Sequence, residues 1–245
     1  LGGKLGEAVT AIADGDVVFA AHDPRGWGHL VILTHGKHWV SIYAYNQKIL
    51  VKEGQRIPAG HVLGQMGYTG SGINRERAHL HLELNILVSL QFDAWHKMKF
   101  GSDNRHGLHN GMNLSGLDIA NLYLRQEREP GITIPEFLSA TSAYYKVTCP
   151  RRGKLELADR YPWIRRGAHH RPSPSWEISF TASGFPLTIA PSHREVSKPL
   201  VTYIRTTQSR HEYFTLSRLT GTGRRASLTR AGLQHLALIT GDFSK

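Results

Sequence analysis

The chain has one cysteine, Cys149, among 245 residues. That excludes an intrachain disulfide framework and any metal site built on several thiolates. No apolar run approaches the roughly 18 residues that a helical membrane span needs. Acidic side chains are scarce beside basic ones, 19 against 30, for a net charge of +11. Hydrophobic residues make up 40%, and the 25 glycines and 11 prolines follow no period, which excludes a wholly disordered or collagen-like chain. The sequence begins at Leu1 rather than Met, so either a leader has been removed or the chain is trimmed at this end.

The charge is unevenly placed. Residues 1–148 hold 14 Lys/Arg and 13 Asp/Glu, whereas residues 149–245 hold 16 and 6. A change of sign balance near Cys149-Pro150-Arg151-Arg152 points to different partners for the two halves. A basic surface of this kind serves solubility or meets an anionic polymer, a membrane surface or nucleic acid. The expected organisation is a domain over residues 1–100, a loop and helical segment over 101–148, and a basic, β-rich domain over 149–245.

Short alternating segments dominate the first part. Residues 7–20 read as two strands around a turn at Asp14-Gly15-Asp16, and 29–35 and 38–45 as two more joined at Gly36-Lys37. Residues 51–67 carry Gly54, Gly60, Gly64 and Gly67 between apolar pieces, as in tightly turned β-structure. Residues 115–128 read as a helix stopped by Pro130-Gly131, and Thr133-Ile134-Pro135-Glu136 as the capped start of another. Strands are expected again at 176–182, 187–190, 200–207 and 212–219. Residues 227–239 fit either a helix or a strand pair.

Residues 79–86, HLHLELNI, alternate without a break. His79, His81, Glu83 and Asn85 share one face, and Leu80, Leu82, Leu84 and Ile86 the other. Two histidines at i and i+2 on a strand can share one ion or one ligand, or simply line a polar groove. Glu83 continues the face as a carboxylate able to orient an imidazole. A second group, Asp103, His106 and His109, lies in a Gly/Asn-rich loop that is either simply exposed, a lid over the groove or, less readily, a separate metal site. His169-His170 sits among Arg165, Arg166 and Arg171, near Tyr161, Trp163 and Trp176. That cluster is either a solvated basic loop, with the aromatics in a core, or a stacking surface. GTGRR (221–225) lacks phosphate-loop spacing, and Cys149 has no evident partner base.

Five motifs in order resemble the lysostaphin/LytM-type zinc endopeptidases of peptidoglycan: VTAIADGDV (9–17), GHLVILTH (28–35), SIYAY (41–45), VKEGQRIPAGHVLGQMGYTG (51–70) and HLHLE (79–83). The resemblance covers about residues 1–86. It implies a mainly β fold: an antiparallel β-sheet domain of the lysostaphin/LytM type, followed here by a short helical segment and a second, basic, mostly-β domain. It implies one zinc with His81 as a ligand, His79 as a base or oxyanion-stabilising group, and a substrate of peptidoglycan peptide cross-links. It also implies a periplasmic, envelope or secreted location. Two departures stand out. The family's upstream H-x-x-x-D ligands have no counterpart in residues 1–8, and Tyr45 stands where the family carries a histidine, in a stabilising position. The alternative is a degenerate LytM-like module that binds peptidoglycan or activates a partner hydrolase. His35, His106 and His109 are candidate groove or lid residues. The basic half is matched to an anionic envelope polymer, and neither a membrane span nor nucleic acid is an expected partner. The 51–60 stretch also resembles biotinyl-type carrier domains, but Met66 is followed by Gly67, not by the lysine a carrier needs.

Overall fold

The computed structural model describes residues 1–36, 39–153, 155–207 and 209–243. Lys37 of the expected turn and His38 at the head of the expected 38–45 strand lie outside the described residues. The chain divides into two compact units, residues 1–87 and 88–245. Both contain antiparallel sheets, and the whole is mainly β, as expected.

The first unit contains β1 (Ala8–Thr10), β2 (Gly15–Asp23), β3 (Gly28–His35), β4 (Trp39–Asn46), β5 (Lys48–Ile49), β6 (Arg56–Ile57), β7 (Val62–Gln65) and β8 (His81–Leu87). Within it, β6, β2, β3, β4 and β8 lie side by side in that order, each antiparallel to its neighbour. A smaller sheet runs β1-β7-β5. The expected 7–20 hairpin is therefore not one: β1 pairs with β7, while β2 pairs with β3 and β6. The reason lies in the alternation. Val9 and Leu63 from the small sheet bury against Val17, Val31, Leu33, Tyr43 and Leu80 from the large one. One apolar face of each sheet is thus removed from water, the dominant favourable term at about 25 cal/mol per Å². The opposite face of β8 carries His81 and Glu83.

The second unit holds α1 (Phe92–Phe100), β9 (Leu114–Gly116), α2 (Ile119–Arg128), α3 (Ile134–Ala140), β10 (Tyr145–Pro150), α4 (Glu156–Arg160), β11 (Ser175–Phe180), β12 (Pro186–Ser192), β13 (Leu200–Ile204), α5 (His211–Phe214), β14 (Leu219–Thr220), β15 (Ser227–Leu228) and α6 (Arg230–Thr240). Its main sheet runs β12-β11-β10-β13, all antiparallel. Thr133 and Glu136 close a capping box at the start of α3, with Pro135 in the first turn. The 212–219 segment departs from expectation. It opens with the single turn α5, where the Thr215 N–H closes onto the His211 carbonyl at 3.0 Å. Leu216 and Ser217 follow with left-handed φ of 49° and 57°. Its apolar residues, Tyr213, Phe214, Leu216 and Leu219, do not keep period two, so no strand face exists for them to share. Residues 230–240 are helical, and the helix carries Gly232 because a Cβ there would overlap the Arg218 carbonyl.

His235 of α6 is fully buried, donates Nε2–H to the Gly184 carbonyl at 2.8 Å and lies near Arg218. Burial, reinforced by Arg218, pushes its pKa down to about 3. Between that value and the ordinary 6.5 only the unfolded chain binds the proton, so stability is lost as the pH falls, by about 1.4 kcal/mol per unit. We expect the stability advantage of wild type over His235→Gln, followed by denaturant unfolding, to shrink by about that slope from pH 6 to pH 4. A pH-independent difference would contradict the buried neutral imidazole.

Candidate functional site

The site is built on an irregularity in β4. Val31 of β3 pairs with Tyr43, but His29 pairs with Asn46, so Ala44 and Tyr45 together stand opposite Leu30. This is a β-bulge, a device that re-aims a side chain. Strict alternation from the core residue Tyr43 would turn Tyr45 into the core. Instead Tyr45 adopts φ 67°, a left-handed conformation costing about 1–3 kcal/mol for a non-glycine residue. The surroundings hold it there. Its N–H donates to the Trp27 carbonyl at 3.1 Å, and its carbonyl accepts from the Thr69 N–H at 3.3 Å. Asn46, now buried, donates Nδ2–H to the carbonyls of His29 (3.1 Å) and Tyr43 (2.8 Å). The Thr69 hydroxyl donates to the Asn46 carbonyl at 2.8 Å and accepts from the His29 N–H at 2.9 Å.

The bulge brings the Tyr45 ring edge-on to two imidazoles. Its centroid lies 5.1 Å from that of His79 and 5.1 Å from that of His81. Trp27, in the turn before β3, packs on His81 at 5.1 Å, nearly perpendicular. Gly70 closes the underside of Tyr45: a Cβ there would overlap the phenol ring.

The two histidines are held differently. His79 precedes β8 in an isolated bridge with Gly2. Asn74 caps the turn Arg75–Arg77, accepting from the Arg77 N–H at 3.1 Å. The Arg77 carbonyl accepts from His79 Nδ1 at 2.7 Å. A carbonyl can only accept, so the proton is assigned to Nδ1 and Nε2 remains open. His81 heads β8, and its Nε2 contacts Glu83 Oε1 at 2.8 Å. Glu83 Oε2 accepts from Asn85 Nδ2 at 3.1 Å. Both His81 and Glu83 are about one-third exposed, so this pair is screened by solvent and adds at most about 1 kcal/mol of stability.

A catalytic zinc needs three protein donors and an open position. Among the described residues, no three His, Cys, Asp or Glu side chains are placed to hold an ion. His81 already offers Nε2 to Glu83, and Tyr45, a weak ligand when protonated, fills the place beside both rings. The described residues do not by themselves fit the zinc that the resemblance implies, and no chemical step is derived through one.

His35 does not join this cluster. It lies on the face shared with Leu33, where Nδ1 donates to the Asp14 carbonyl at 2.7 Å and Nε2 meets Ser41 Oγ at 2.6 Å. Ser41 in turn contacts the Tyr43 hydroxyl at 3.1 Å, which accepts from the Ile12 N–H at 2.9 Å. His106 and His109 belong to the second unit, in turns tied together by Asn104 and Asn110. Burial, with His106 adding to it, lowers the His109 pKa. The His169 and Trp176 rings pack at 4.9 Å, tilted by 39°, and Arg151 lies 4.1 Å over the Trp176 ring while bonding the carbonyls of His169 and Arg171. Trp176 is buried, so these groups are internal structure rather than a stacking platform. Cys149 is also buried, and desolvation together with Asp242 pushes its thiol up to about 12, which removes it as a nucleophile at neutral pH. Trp27 and Gly70 were not singled out as site residues from sequence. The signal for Trp27 was an aromatic in a Gly-flanked turn just before β3, and for Gly70 the final glycine of the 51–70 motif.

Residues 1–92 match Peptidase family M23. Over 84 residues the chain is 40% identical to the Lipoprotein NlpD/LppB homolog of Pseudomonas aeruginosa, covering 34% of this chain and 27% of the relative. The Murein hydrolase activator NlpD of Escherichia coli is also 40% identical over 84 residues, 34% of this chain and 21% of the relative. The chain thus spans only about a quarter of the length of these curated relatives. Among solved structures, the catalytic domain of the antimicrobial peptidase lysostaphin from Staphylococcus simulans is 28% identical with a TM-score of 0.32, covering 34% of this chain and 62% of that one.

The packing of Gly70 under Tyr45 gives a test of the site geometry. Gly70→Ala should displace the phenol ring, cost about 1–3 kcal/mol and move the imidazole proton signals of both His79 and His81. Unchanged imidazole signals in a folded variant would show that the ring does not sit over the pair.

Proposed function

We propose that this chain, whose residues 1–92 match Peptidase family M23, is a degenerate LytM-type member of that family, one that grips peptidoglycan peptide and acts as an activator of a partner hydrolase rather than cutting the peptide itself. The observation that carries this reading is Tyr45: the bulge places a phenol, not an imidazole, over both histidines, and His81 is engaged with Glu83. A phenol is a poor base near neutral pH. The names of the similar proteins, a murein hydrolase activator and a lipoprotein, agree with it, and an envelope location follows from this reading.

In this reading Trp27 and Tyr45 form the apolar walls of the groove. His79 Nε2 and the Tyr45 hydroxyl, which takes no hydrogen bond among the described residues, meet the amides and carbonyls of the stem peptide. Glu83 positions His81. The basic second half assists through attraction to an anionic envelope polymer, which salt would weaken. The zinc endopeptidase reading requires donors beyond those described, with His81 as one ligand and His79 as a base or oxyanion-stabilising group.

Sedimentation with purified sacculi tests the proposal. The chain should co-sediment, release no peptides, and raise the rate of a cell-wall hydrolase added to the same sacculi. Trp27→Ala and Tyr45→Ala should each weaken binding several-fold, since a stacked aromatic contact contributes about 0.5–1.5 kcal/mol beyond its area. Release of cross-link peptides by the chain alone, or undiminished binding by both variants, would overturn it.

A further inference from the structure

A cavity of about 430 Å³ opens in the second unit, away from the residues of the candidate groove, with Cys149 and Asp242 in its wall. The size falls in the range of small-ligand sites, roughly 300–1,000 Å³. The helices that line it read as two stripes of the same kind. On α6, Arg230, Leu233, Gln234 and Ala237 recur at helical spacing along one face. On α1, Trp95, Met98 and Lys99 do the same. Each helix therefore brings apolar surface to the cavity with a cation at one end. Arg152, just past β10, and Lys198, in the segment before β13, add two more cations from separate parts of the chain.

Four cations accompany one lining carboxylate, Asp242. Among the described residues, none of Lys99, Arg152, Lys198 and Arg230 takes part in an ion pair. Like charges without ion-pair partners that line one concave surface raise the local concentration of anions. The walls are not polar enough for an anion alone: Leu233 and Met98 remain about half exposed, at 46% and 57%. Such apolar surface is covered favourably only by an apolar body.

We propose that this cavity binds an amphipathic anion, with a phosphate head held by the four cations and an acyl chain laid against Leu233, Ala237, Met98 and Trp95. A free acyl phosphate and an anionic phospholipid present the same chemistry. The probe is dodecyl phosphate in its monomeric range, titrated calorimetrically into the full chain. Binding should weaken about tenfold in Arg230→Gln and again in Lys198→Gln, the loss expected for one charge-assisted contact. Ala237→Trp, which fills the cavity, should abolish it. Lys198 lies outside the helices and strands, so its variant keeps the test valid if the α6 variants fail to fold. Phosphatidylglycerol vesicles form the second arm: if dodecyl phosphate displaces the chain from them, the site takes its anion from a bilayer, and if it does not, the site takes a free amphiphile. No binding of dodecyl phosphate, equal binding by the Lys198 variant, or equal affinity for inorganic phosphate or for dodecyl trimethylammonium would overturn the proposal.

Discussion

Everything distinctive about the candidate groove depends on one extra residue in β4. Two residues, Ala44 and Tyr45, oppose Leu30, and the left-handed turn this forces at Tyr45 exchanges the face onto which its ring projects. The conformational cost is met locally by the Trp27 and Thr69 backbone contacts and by the buried Asn46 amide. The same turn leaves no room for a side chain at position 70. Bulge, asparagine, threonine and glycine thus act as one unit whose product is the position of a single ring over two imidazoles.

That arrangement gives the histidine pair neighbours other than a third metal donor among the described residues. The alternation of HLHLELNI is first a packing pattern, since Leu80 and Leu82 lie against the core shared by the two sheets of the first unit. The polar face is free to serve whatever the groove contains. Here it contains a His81–Glu83 pair, a His79 fixed as its Nδ1-protonated form by a capped turn, and aromatic walls. In the proposed reading this surface recognises amide-rich chains.

The β-rich class, the face of β8 and the capping box of α3 were legible because each is written in local periodicity or in a fixed spacing of polar groups. The sheet partners of β1 and β2 were not, since adjacency in sequence suggested a hairpin and only the shared core separates them. The 212–219 segment misled because its β-branched and aromatic content outweighed a missing period. In the site, His79, His81 and Glu83 came from the alternation, whereas Trp27 and Gly70 act through a bulge that strand periodicity alone does not foresee. His35 looked like a groove residue by motif, yet its parity with Leu33 puts it on the core face, where it links Asp14 to Ser41.

The central claim is that the groove of the first unit, as its described residues form it, holds a tyrosine over its histidines instead of a working metal centre. Elemental analysis of the purified chain after incubation with excess zinc and removal of loosely held metal tests it most directly. The account predicts well under one tightly held zinc per chain, and no change on His81→Ala. One zinc per chain that is lost in His81→Ala would contradict it and return the protein to the peptidases.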